Sequence, residues 1–90
     1  MDDKEFEAWT RLAETRRGMA TTPEEARFYQ GYLLGLQRAH HGVAYLDEAE
    51  HQANLAAALD EADPDRRFHG QGYMAGFNAV DPITALGMIL

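Results

Sequence analysis

Two short stretches constrain this chain more than anything else in it: QGYLLGL at residues 30–36 and QGYMAGF at residues 71–77. Each sets two glycines four residues apart inside a segment whose apolar spacing is helical. Positions i and i+4 share one face of a helix, so Gly31 with Gly35, and Gly72 with Gly76, make two faces bare of side chain. A mid-helix glycine costs about 1 kcal/mol relative to alanine. Four of them cost about 4 kcal/mol, against a total stability of about 5–15 kcal/mol for a small domain. The offset is a second backbone drawn close enough to gain dispersion contacts. The pattern therefore predicts helix two packed on helix four, with a second subunit of a homodimer as the competing arrangement. Gly31, Gly35, Gly72, Gly76, Tyr32 and Tyr73 are the expected contact residues, walled by Phe28, Phe68 and Phe77.

The similarity extends beyond the glycines. Thr22-Pro23 stands eight residues before Gln30, and Asp63-Pro64 eight before Gln71. A capping side chain followed by proline at the first helical position is a strong helix start, and Glu25 completes a capping box with Thr22. Asp81-Pro82 repeats the signature, and Asp47 supplies a cap for an alanine-rich helix. In the first segment Phe6, Trp9, Leu12 and Ala13 fall on one helical stripe, with Arg16 and Arg17 suited to its carboxyl end and Gly18 to its stop. Gly42 ends the second helix. No stretch shows strand alternation bounded by hairpin turns. The expected fold is all-α: one domain over residues 1–90, with helices near 3–17, 22–41, 47–61, 63–79 and 82–89. It reads as a bundle of four helices plus a short C-terminal helix, built from two repeated helical hairpins. From Pro82 onward there is no charge, so Ile83, Leu86, Met88, Ile89 and Leu90 are expected to be buried.

Composition excludes several functions. Cysteine and serine are absent and Lys4 is the only lysine, which removes disulfides, thiolate metal sites and most nucleophile chemistry. No apolar run approaches the roughly 18 residues of a membrane span, and the acidic start MDDKEFEAW reads as neither a signal nor a transit peptide. A cytoplasmic, membrane-free protein is expected. The net charge of −7 argues against direct nucleic-acid binding through a basic face and for docking on a basic partner.

The candidate sites follow from these limits. Acids gather at Asp47, Glu48 and Glu50, and again at Asp60, Glu61 and Asp65. At 1.5 Å rise per residue they would form two negative ends of the third helix about 15–20 Å apart, the expected partner-binding surface. The alternative is a small metal- or ligand-binding enzyme using His40, His41 and His51, since imidazole suits zinc or iron. Their spacing matches no established ligand motif, and His40 and His41 fall in a last helical turn, where the dipole favours them anyway. Neither a catalytic group, a resident metal nor a cofactor is therefore assigned. The glycines at 70, 72 and 76 follow a proline helix start instead of a strand, which removes the dinucleotide-binding reading.

RFYQGYLLGLQRAHHG together with GQGYMAGF resembles small helical proteins of phages and proteobacterial mobile elements, and is similar in character to the small acidic anti-CRISPR proteins. That resemblance implies a non-catalytic inhibitor which blocks a basic, nucleic-acid-binding surface of a host complex. The Gly-Tyr-x-x-Gly element also resembles ribosome modulation factor, a basic protein that binds ribosomal RNA; the acidity of this chain departs from that pattern. A ribosome-associated role and a purely structural helical dimer are the remaining alternatives.

Overall fold

The computed structural model describes residues 2–89, five α-helices in a compact globule: α1 (Asp3–Gly18), α2 (Pro23–His41), α3 (Glu48–Ala57), α4 (Pro64–Phe77) and α5 (Pro82–Ile89), with a 3₁₀ turn at Gly42–Ala44. Carboxylates or a hydroxyl start each helix. Asp2, Thr22, Asp47 and Asp63 each accept from the backbone N–H three residues on, and Asp81 accepts from Ile83 and Thr84. Gly42 ends α2 at φ 74°, where a side chain would be strained.

The centre of the molecule is the contact between α2 and α4. A Cβ placed on Gly31 would collide with the His69 carbonyl and one on Gly35 with the Tyr73 carbonyl. In return, Gly72 meets the Phe28 carbonyl and Gly76 the Tyr32 carbonyl. All four would lie inside 3.0 Å of opposing backbone, a separation that real Cβ atoms essentially never show. Because the contacts advance along both helices together, α2 and α4 run parallel. Phe28 and His69, Tyr32 and Tyr73, and Leu36 and Phe77 are equivalent across a pseudo-twofold axis, each pair 41 residues apart. Phe28, Tyr32, Leu36 and Tyr73 have no exposed surface.

Each seam helix carries an antiparallel outer helix. Phe6 of α1 stacks on His40 at the end of α2, with centroids 3.9 Å apart, while His51 of α3 lies on Tyr73 and Phe77 near the end of α4. Helix α5 has no repeat equivalent. It lies against α1, α2 and α4, puts Ala85 into the core with Ala13 and Tyr29, and leaves the Val80 carbonyl to accept from the Tyr32 hydroxyl at 2.7 Å.

Three expectations need correction. Helix α3 stops at Ala57 instead of 61. The N–H groups of Ala58, Leu59 and Asp60 turn to carbonyls three residues back, and Asp60 then accepts from the N–H of Ala62 and Asp63. Gly70 makes room for this turn, since Ala57 and Ala58 backbone occupies the place of its missing side chain. Helix α4 stops at Phe77 instead of 79: Ala79 turns left-handed at φ 56° and Val80 N–H reaches back to the Ala75 carbonyl, a Schellman ending made without glycine. The tail is only half buried. Pro82, Ala85, Leu86 and Ile89 face inward, but Ile83 is 42% and Met88 78% exposed, because an eight-residue helix on a single layer has one face to bury. Leu90 lies outside the described residues.

Candidate functional site

Charge is spread very unevenly over this fold. Residues 39–65 hold seven of the fifteen acids and none of the eight lysines and arginines, while the rest of the chain holds eight of each. The whole net charge of −7 therefore belongs to one continuous piece: the end of α2, the 3₁₀ turn, α3 and the start of α4. That piece is the outer edge of the second hairpin. Counting cations as well as acids along the chain is the signal that reveals it.

Of the seven acids in that edge Asp63 caps α4, and the six candidate acids divide by function. Asp47 caps α3 through a 2.9 Å bond from Glu50 N–H. Glu48 pairs with Arg38 at 3.2 Å and accepts from Gln52. The guanidinium of Arg38, only 9% exposed, also donates to the Leu46 carbonyl at 2.8 Å and lies 5.9 Å over the Phe77 ring. Arg38 thus pins the 3₁₀ turn and the start of α3 onto the seam, and Glu48 neutralises it there. Asp60 takes a 2.9 Å bond from Arg66 together with its two backbone donors, and these hold its carboxyl below the usual aspartate range. These three acids are structural. Glu50, Glu61 and Asp65 are exposed, and their carboxylates have no hydrogen-bond or ion-pair partner among the described residues. Glu61 contributes only its backbone carbonyl, to Arg67.

Large apolar side chains stand beside both clusters. Val43 and Tyr45, 65% and 46% exposed, precede Asp47; Leu59, 80% exposed, precedes Asp60 and Glu61. Nothing in the spacing of the sequence marked these three. An acidic edge studded with exposed apolar side chains can bind a surface that is itself basic and partly apolar.

The histidines are drawn into separate roles. His40 stacks on Phe6 and lies 3.5 Å from Asp3; His41 meets Phe6 edge-on and packs near Tyr45. His51 is buried and shares a 2.5 Å hydrogen bond with the Tyr73 hydroxyl, whose pKa burial raises. Among the described residues no group of three or more His, Asp or Glu side chains converges as a metal site would require. Gly31, Gly35, Gly72, Gly76, Tyr32 and Tyr73 all lie in the seam, filled by backbone from within the same chain. No described helix is long and apolar enough to cross a membrane. Comparison with protein-family models, characterised proteins and solved structures finds no match to this chain.

Proposed function

We propose that this protein is a non-catalytic protein-binding module, and that the outer edge of its second hairpin is the binding surface. The observation that carries this reading is the placement of the entire net charge on residues 39–65, with the carboxylates of Glu50, Glu61 and Asp65 free of partners among the described residues. A fold needing acids only for solubility has no use for such segregation. The partner is a protein with a basic surface. In its sharpest form, which the resemblance to anti-CRISPR proteins implies, that surface binds nucleic acid and this chain blocks it.

The test is competitive. A partner recovered from host extract is purified, and its binding to labelled nucleic acid is measured as this protein is added. Displacement is expected, with an association rate that falls steeply with salt. Converting Glu50, Glu61 and Asp65 together to lysine should slow association more than tenfold with the melting temperature unchanged. Glu48 is left out of this set because its loss would strand the buried Arg38. Affinity indifferent to both salt and the triple reversal would refute the reading.

A further inference from the structure

The acidic edge holds none of the lysines and arginines, yet it holds three of the four histidines: His40, His41 and His51. Histidine is the side chain whose ordinary titration falls between pH 5 and 8, so these three are the cations that residues 39–65 can acquire near neutral pH. His51 is buried against Tyr73 and Phe77. His40 and His41 stand together at the end of α2, their ring centroids 4.8 Å apart and their planes nearly perpendicular.

The groups facing this pair come from three elements. From α1, an Asp3 carboxylate oxygen lies 3.5 Å from His40 Nε2, and Phe6 stacks on His40 and meets His41 edge-on. From the turn after α2, the Tyr45 ring lies 5.9 Å from His41. On α2 itself, Arg38 is committed to the Leu46 carbonyl and to Glu48 of α3. A proton on His40 therefore meets a carboxylate, an aromatic face and the carbonyl end of a helix, all of which favour it. His41 is exposed, and a charge there stands beside Tyr45, one of the exposed side chains of the edge.

We propose that His40 and His41 make the acidic edge responsive to pH: protons taken up by the pair compete with the basic partner, which binds at neutral pH and is released in acid. Two protons reduce the excess of seven negative charges on residues 39–65 to five, and the one on His41 stands on the surface that meets the partner. A basic partner repels an imidazolium, so the complex holds these protons less readily than the free chain. Affinity is therefore full where the free histidines are neutral and is lost as they charge. This coupling rests on the binding surface proposed above and adds its regulation.

The probe is a short peptide of arginine and leucine with blocked ends. Its guanidinium groups stay charged throughout the range tested, so a change with pH comes from this chain. Affinity for the full chain is measured by fluorescence polarisation at about pH 7.5 and about pH 5.5, each at low and moderate salt. A loss of about fivefold or more is expected at the lower pH. His40→Gln together with His41→Gln should bring the two affinities within about twofold of each other, whatever the affinity at neutral pH. His41→Gln alone, at an exposed position, should remove part of the loss with melting as in the parent, so a loosened Phe6 stack in the double variant does not obscure the result. In NMR titrations the His41 imidazole should charge at lower pH with saturating peptide than without it. Binding that weakens with salt but is equal at both pH values overturns this coupling and leaves the binding surface standing. An undiminished loss in the double variant also overturns it, by assigning the protons to other groups. Absence of binding at either pH overturns the binding surface and the coupling together.

Discussion

The two hairpins share a seam and differ in almost everything outside it. At the seam, Gly31-Tyr32-Gly35 and Gly72-Tyr73-Gly76 present the same faces to each other. Outside it, the first hairpin has a sixteen-residue outer helix that packs Phe6, Trp9 and Ala13 on the core, whereas the second has a ten-residue helix that buries His51 and Ala57. Tyr29, buried in α2, is replaced by Gly70 in α4, so α3 rides on backbone contact where α1 rides on side chains. The two seam tyrosines bond in different directions, Tyr32 to a carbonyl and Tyr73 to a histidine. The seam supplies the common scaffold, the first hairpin most of the apolar core, and the stretch 39–65, which ends before Arg66 and Arg67 of α4, the net charge. A thin outer layer held by close approach leaves its exposed side chains free for another use.

The largest effect should come from breaking the seam itself. Gly35→Ala and Gly76→Ala each gain about 1 kcal/mol in helix propensity, yet each forces a Cβ into a carbonyl of the opposite helix. A net loss of about 3–5 kcal/mol is expected for either, a fall in melting temperature of more than about 10 °C for a chain of this size. If the pseudo-twofold axis governs the energetics, the two losses should agree within about 1 kcal/mol. Gly18→Ala, with nothing nearby, is the control. Thermal unfolding that leaves Gly35→Ala as stable as the parent would show that α2 and α4 can separate at little cost.

Much of this scaffold could be read from the sequence, because its signals are local. Thr22, Asp47, Asp63 and Asp81 cap the helices that follow them, and the glycine spacing maps directly onto the α2–α4 contact. What escaped reading depended on distant partners. The end of α3 gives no local stop signal in its alanine run; the turn there packs its backbone on Gly70, some dozen residues on. Ala79 is left-handed although alanine seldom is. The pairing of Arg38 with Glu48, which removes one acid from the candidate surface, joins the end of one helix to the start of the next. The free acids were visible as letters, but only the fold separates Glu50, Glu61 and Asp65 from the three that serve as caps and counter-ions.

Helix α5 is where the symmetry fails outright, and removing it sharpens the comparison. Deleting residues 83–90 uncovers the inner face of α1 and the Tyr32 side of the seam while leaving the α3–α4 contact alone. Loss of Ala85, Leu86 and Ile89 from the core should cost on the order of 2–3 kcal/mol, given partial burial. Hydrogen exchange should locate the damage: amides of α1 and of α2 near Tyr32 should exchange faster, with those at the α3–α4 contact changed only by the drop in global stability. Uniform loss of protection would show the two hairpins to be one cooperative unit. A truncated chain with unchanged melting would show α5 to be dispensable.

The smallest expected effect concerns the one seam pair that differs in ionisation, Phe28 and His69. Both offer their carbonyl to a glycine of the other helix, but His69 can bind a proton. Burial first, and the nearby charge of Arg27 second, lower its pKa from the ordinary 6.5. The unfolded chain therefore binds this proton more readily than the folded one. The contribution is constant above pH 6.5, and stability declines as pH falls from there towards the folded pKa. One proton sets a ceiling of about 1.4 kcal/mol per pH unit on that slope. His69→Phe, which copies the twin position, should change stability by less than about 1 kcal/mol at pH 8 but remove this acid limb. Urea unfolding of both proteins between about pH 8 and pH 5 isolates it, because the other histidines and the carboxylates are common to both. The two curves should run parallel at high pH and diverge below 6.5, the parent losing stability faster. Curves parallel across the whole range would mean that His69 is solvated equally in both states, and that the two sides of the seam are as alike in charge as in shape.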